Sequence, residues 1–85
     1  MGTDTRLGFV GIVMEDRAVA KPVNELIGQF SNVVRARIGV PDADSKAAVI
    51  GLIVEGTNEA IGAMTAKLGN IKGVQVKSAL TKKEK

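Results

Sequence analysis

Glu15, Asp16 and Arg17 bring two carboxylates and a guanidinium to one short stretch of the chain. Adjacent carboxylates can divide the work of a general acid and a general base. An arginine in a loop that follows a strand can hold a phosphate, but the paired carboxylates here would repel it, and the glycine-rich run of a phosphate cradle is missing. A strand end followed by a helix cap is the more common use of such residues. Arg37 is a second candidate, because a guanidinium beside an apolar sheet can take a carboxylate in two parallel hydrogen bonds. Its blander uses are to discourage edge-to-edge pairing or to meet an acid of a neighbouring subunit. Lys67 reads as solvated. With no cysteine and no histidine, disulfides, thiol catalysis, iron-sulfur ligation and the usual transition-metal sites are excluded. No catalytic residue, metal site or cofactor is expected.

The elements that must position these side chains are written twice. Val10-Gly11-Ile12-Val13-Met14-Glu15 returns forty positions later as Ile50-Gly51-Leu52-Ile53-Val54-Glu55. At the same offset, Val34, Ala36 and Arg37 return as Val74, Val76 and Lys77. Each half is strand, helix, strand, and two halves sharing one sheet and one helical layer make the split βαβ, or ferredoxin-like, plan. The expected fold is therefore α+β: a βαββαβ sandwich, with a four-stranded antiparallel sheet carrying two helices on one face.

Arg6 to Met14 forms the first strand, apolar on both faces and hence central. Asp16 suits a helix N-cap, and Val19, Val23, Leu26, Ile27 and Phe30 recur at helical spacing. Pro22 either sits at the first position of a helix beginning near Lys21 or loosens the first turn. Val33 to Val40 reads as a strand with Arg35 and Arg37 alternating against Val34, Ala36 and Ile38. Pro41 to Ser45 is a turn, and Lys46 to Val54 the third strand. Gly56, Thr57 and Asn58 open a second helix, with Ile61, Met64, Thr65 and Leu68 inward and Gly69 as its stop. Val74 and Val76 oppose Gln75 and Lys77 in the last strand. One domain over 1–85 follows, ordered over about 6–79, with a basic tail at 80–85.

Apolar runs of at most about five residues are far short of the roughly 20 that span a bilayer, and no signal-like core is present, so a cytoplasmic protein is expected. The net charge of +3 is small, and Lys82, Lys83 and Lys85 crowd the last positions. Direct nucleic-acid binding is not expected: only Phe9 is available for stacking bases on the sheet, and too few residues precede the first strand for a DNA-reading module.

With the first and third strands central, one apolar face packs on the helices and the other stays open. An apolar face of that size is rarely left to water. Its expected cover is another copy of the chain, in a dimer or tetramer. The residues assigned to that seam are Val10, Ile12, Met14, Ile50, Leu52 and Val54, although both alternating sets are apolar and the sequence does not say which faces outward. Gly11 and Gly51 would lower the surface so that something packs closely on it.

Several blocks carry a family resemblance. They are Met14-Glu15-Asp16-Arg17, Val23-Asn24-Glu25-Leu26, Arg37-Ile38-Gly39-Val40-Pro41, Thr57 to Ala63, and Lys67-Leu68-Gly69 with Gly73 to Lys77. In order and spacing they resemble the small ACT-like proteins labelled putative iron-only hydrogenase system regulators, over about Arg6 to Lys77. The resemblance implies a fold similar to ACT domains and to the effector domain of the nickel-responsive repressor, no catalysis, assembly through the sheet, and regulation by a small ligand. The chain lacks the histidine and cysteine ligands of that repressor, so its type of nickel site is excluded. ACT-type effectors bind near the first strand-to-helix turn, here Asp16 and Arg17, with Asn24 one helical face further on. With Arg37, these are the expected ligand residues, for a small anionic effector at a subunit interface. The competing expectation is a structural or protein-interaction module with a protein partner and no ligand.

Overall fold

A computed structural model describes residues 5–40 and 46–82, so the turn expected over Pro41 to Ser45, together with Lys83 and Lys85 of the basic tail, lies outside the described residues. Along the chain come β1 (Thr5–Met14), a short 3-10 turn (Arg17–Val19), α1 (Ala20–Gln29), β2 (Val34–Gly39), β3 (Ala48–Thr57), α2 (Asn58–Gly69) and β4 (Val74–Leu80). The sheet order is β2-β3-β1-β4 and all pairings are antiparallel. This is the ferredoxin-like α+β arrangement, with the two echoing runs as central neighbours. Val10 stands opposite Leu52, Gly11 opposite Gly51 and Ile12 opposite Ile50.

Local chemistry sets the helix boundaries. Asp16 is extended, and its Oδ1 accepts a hydrogen bond from the Ala18 N–H at 2.9 Å, capping the 3-10 turn. The chain enters α1 through that tightened turn, with Pro22 as the third helical residue. The missing N–H costs nothing there, because first-turn amides have no acceptor within the helix. α1 buries Val23 and Ile27, while Val19, Leu26 and Phe30 pack partly against the core. Thr57 caps α2 by accepting from the Ala60 N–H at 3.0 Å, and Ile61, Met64 and Leu68 point inward. Thr65 is only half-buried and turns its hydroxyl to the Gly62 carbonyl at 3.1 Å. Gly69 is the last helical residue, not a left-handed stop; the left-handed position is Gly73, at φ 84°, in the turn into β4.

Three strands depart from the expected pattern. β3 runs Ala48–Thr57 instead of Lys46 to Val54, so Gly56 is paired with Arg6 in the sheet and does not open the second helix. Between Val34, which pairs with Val54, and Ala36, which pairs with Ile53, the register of β2 shifts by one residue. The bulge at Arg35 breaks the alternation, because one extra residue moves everything after it to the opposite face. Val34 therefore packs on the core, whereas Ala36 and Ile38 turn away from the helices. β4 also runs further than expected, pairing Ser78, Ala79 and Leu80 with Val10, Phe9 and Gly8. Beyond it, the Thr81 N–H donates to the Leu7 carbonyl at 2.9 Å, and Thr81 Oγ1 accepts from the Leu7 N–H at 3.1 Å.

The core lies between sheet and helices. Val10, Ile12, Met14, Leu52 and Val54 of the central strands meet Val23 and Ile27 of α1 and Ile61, Met64 and Leu68 of α2. Each such side chain contributes on the order of 1.5–3 kcal/mol on burial.

Candidate functional site

The helix-facing set of β1 and β3 is even-numbered. Val10, Ile12, Met14, Ile50, Leu52 and Val54 are all 7% exposed or less. They are the inner face of the sheet, so the seam assigned to these six residues is corrected: the helices already cover them. The outward set is the odd-numbered one, namely Leu7, Phe9, Val13, Val49 and Ile53, with Ile38 of β2 beside them. Glu55 of β3 and Glu15 just beyond β1 belong to the odd set, and a buried face tolerates charge less well than an open one does.

Phe9 dominates this face. A Cβ added at Gly51 would stand 2.9 Å from Phe9 Cε1 and 3.0 Å from Cζ, and one added at Gly11 would stand 3.3 Å from Cε2. The ring thus lies across the directly opposed glycines of the two central strands, and the packing expected over Gly11 and Gly51 is supplied from within the chain. An aromatic ring laid on strand glycines restores contact that they cannot make themselves. Phe9 remains 47% exposed. On one side it borders a shallow cavity of about 80 Å³ walled by Ala36, Ile38, Gly51 and Ile53, with Arg37 at its margin. On the other it borders a wider hollow of about 460 Å³ against Leu7, Ile53, Ala79 and Leu80.

Polar pairs rim the patch. Arg35 Nε donates to Glu55 Oε1 at 3.2 Å, and Arg35 Nη1 to the Asn32 carbonyl at 3.0 Å. At the opposite end Gln75 Nε2 donates to Glu15 Oε2 at 2.8 Å. Glu15 thus serves as a rim acceptor, with no arrangement that would make it half of an acid/base pair with Asp16. Lys77 stands on the β4 edge, opposite Gly11.

The four expected ligand residues divide. Arg37 pairs in register with Leu52 and so belongs to the helix side of β2, where its Nη2 donates to Asn24 Oδ1 of α1 at 2.8 Å. Sequence spacing did not bring Asn24 and Arg37 together; it is the bulge at Arg35 that sends Arg37 toward α1. Both are exposed, and the one amide oxygen leaves other guanidinium donors for a further acceptor. Asp16 is committed to its cap. The Arg17 backbone N–H donates to the Lys46 carbonyl at 2.8 Å, which ties the first strand-to-helix turn to the approach to β3. Asp16 and Arg17 lie at the sheet end where β2 finishes, beyond the last residue of β1.

Among the described residues no group of three or more acidic side chains could hold a metal ion, and no polar or charged residue is buried. No helix among them is long and apolar enough to cross a membrane.

Comparison with known proteins places this geometry. The family described as TM1266-like, "Iron-only hydrogenase system regulator, putative", matches residues 6–78. The uncharacterized protein TM1266 from Thermotoga maritima is 40% identical, with a TM-score of 0.83 over 92% of this chain and 99% of that one. The ACT domain of GTP pyrophosphokinase from Chlorobium tepidum has a TM-score of 0.72 at 21% identity, over 86% of this chain and 96% of that one. A PII-like signaling protein from Thermus thermophilus, itself described as putative, has a TM-score of 0.59 at 16% identity, over 93% and 92%. The last two likenesses are of fold alone. No protein of curated function matches.

Proposed function

This chain belongs to the TM1266-like family of putative iron-only hydrogenase system regulators, and from that membership we propose that it is a non-enzymatic regulatory domain whose open sheet face is closed by a second copy of itself. The exposed apolar face carries the reading. Leu7, Phe9, Val13, Ile38, Val49 and Ile53 together offer roughly 600 Å² of accessible surface, against the roughly 800 Å² per partner of a standard interface, before the rim is added. Phe9, standing between two apolar hollows, gives the face a relief of ridge and groove that identical surfaces can mesh.

The second part of the proposal is a small anionic effector that binds at the Arg37–Asn24 corner, with the Asp16–Arg17 turn as the other wall once subunits assemble. Support comes from the exposed, hydrogen-bonded guanidinium, held in place with donors to spare. The absence of any buried titratable group among the described residues fits a binding role better than acid/base chemistry.

Thermal-shift screening against amino acids and nucleotides tests the sensing. An effector should raise stability by about 2.7 kcal/mol at a hundredfold excess over its dissociation constant, and Arg37→Ala should abolish the rise. A broad panel without any shift would favour the ligand-free interaction module.

A further inference from the structure

The residue pattern of β2 disagrees with its register. Val34, Ala36, Ile38 and Val40 alternate with Arg35, Arg37 and Gly39, which suits a strand with one apolar and one polar face. The bulge at Arg35 breaks that division, and Ile38 and Val40 stand outward at 71% and 66% exposure, the highest values among the exposed large apolar side chains described. β2 is an edge strand that pairs with β3 alone, and none of its residues is buried. Sliding residues 36–39 by one position along β3 therefore uncovers no core side chain and exchanges one set of ladder pairings for another. Register is weakly specified where no buried face fixes it.

We propose that β2 is a two-register switch, and that its register decides whether the open face accepts a second copy; this last step rests on the self-association proposed above. In the bulged register, Arg37 is opposite Leu52 and reaches Asn24 at 2.8 Å, while Ile38 and Val40 extend the apolar face. In the regular register the pairing of Val34 with Val54 runs on without a break, which sets Ala36 opposite Leu52, Arg37 opposite Gly51, Ile38 opposite Ile50 and Gly39 opposite Val49. Ala36 and Ile38 then turn to the helix side, beside the buried Leu52 and Ile50. Arg37 leaves Asn24 and stands on the open face next to Phe9, whose ring lies over Gly51. A guanidinium there must lose its water when a second copy closes the face, and this opposes assembly. The Arg37–Asn24 corner exists in the bulged register alone. An anion held at that corner therefore selects the register that presents Ile38 and Val40, and assembly must strengthen the anion's binding in return.

The chain has no cysteine, so a pair of introduced thiols reports the register. One step beyond the Gly39–Ile50 pair, the bulged register sets Val40 opposite Val49; the regular register sets Gly39 there instead. Opposed residues of antiparallel strands have Cα atoms about 4.5–5.5 Å apart, within the disulfide range, whereas the next residue along points to the other face and cannot bridge. A Cβ at Gly39 has room, with the Val49 carbonyl oxygen nearest at 3.9 Å. In a glutathione buffer, at chain concentrations low enough to prevent assembly, Val40→Cys with Val49→Cys and Gly39→Cys with Val49→Cys should both close within one chain. Asn24→Ala, which frees Arg37, should raise the closed share of the residue 39 pair about threefold relative to the residue 40 pair. At concentrations where the wild type assembles, the chain locked through residue 39 should associate about tenfold more weakly than the chain locked through residue 40, and reduction should remove the difference. Deleting Arg35 takes out the extra residue and keeps Ile38 outward without any thiol, so that chain should associate at least as tightly as wild type. Closure through residue 40 alone, or a ratio that Asn24→Ala does not move, overturns the switch and leaves the self-association standing. If both pairs close but neither locked chain associates, the self-association fails and the two registers remain.

Discussion

Replacing Gly51 by alanine probes the ring that organises the open face. In the native chain the new methyl would stand 2.9 Å from Phe9 Cε1 and 3.0 Å from Cζ, several tenths of an ångström inside ordinary contact. The ring must lift or rotate off its preferred χ, at a cost of about 0.5–1.5 kcal/mol. Alanine in a strand interior gains about 0.5–1 kcal/mol over glycine by losing less backbone freedom. The two nearly cancel, so Gly51→Ala alone should change stability by less than about 1 kcal/mol. With Phe9→Ala the obstruction is gone, and Gly51→Ala should then stabilise by about 0.5–1 kcal/mol. A double-mutant cycle by urea unfolding, at one fixed protein concentration because association and unfolding are linked, should return a coupling of about 1 kcal/mol. A coupling below about 0.3 kcal/mol, the limit of simple additivity, would refute the placement of the ring over the glycines.

Other substitutions separate inner from outer face and fix the frame. Ile12→Asp or Leu52→Asp puts an unpaired charge at a position 0% exposed and should cost more than about 4 kcal/mol, unfolding the domain by circular dichroism; Val49→Asp, at 48% exposure, should leave the spectrum native. Asp16→Ala removes the acceptor for the Ala18 N–H and should lower stability by about 1 kcal/mol in denaturant titration, while Asp16→Asn should retain most of it. Gly56→Ala drives a methyl to 2.6 Å from Val33 Cγ1 and should destabilise by about 1–3 kcal/mol, a loss that Val33→Ala in the same chain should partly relieve.

The echo of Val10 to Glu15 in Ile50 to Glu55 was enough to place β1 and β3 as central neighbours, because a repeated doubly apolar run leaves few other ways to share a sheet. It did not reveal which parity faced the helices, since Val, Ile, Leu and Gly occupy both; the residues that set the odd parity apart were the glutamates Glu15 and Glu55. The bulge at Arg35 is a property of pairing, and no change of residue type marks it. The alternation of Arg35 and Arg37 with apolar neighbours therefore suggested a clean strand, where the structure sends Ile38 outward and Arg37 to Asn24. The extension of β4 was hidden because Ser78, Ala79 and Leu80 are weak strand formers. Their order comes from β1 alongside them and from the Thr81–Leu7 hydrogen bonds that close the end.

Self-association through the odd-numbered face is the central claim, and sedimentation equilibrium on the wild type and on Ile53→Asp tests it most directly. The wild type should run well above the 8.9 kDa of one chain at micromolar concentration, and Ile53→Asp, with its circular dichroism unchanged, should run at half the wild-type mass or less. A wild type that stays at 8.9 kDa up to millimolar concentration would contradict the claim, as would an Ile53→Asp chain that assembles as fully as its parent.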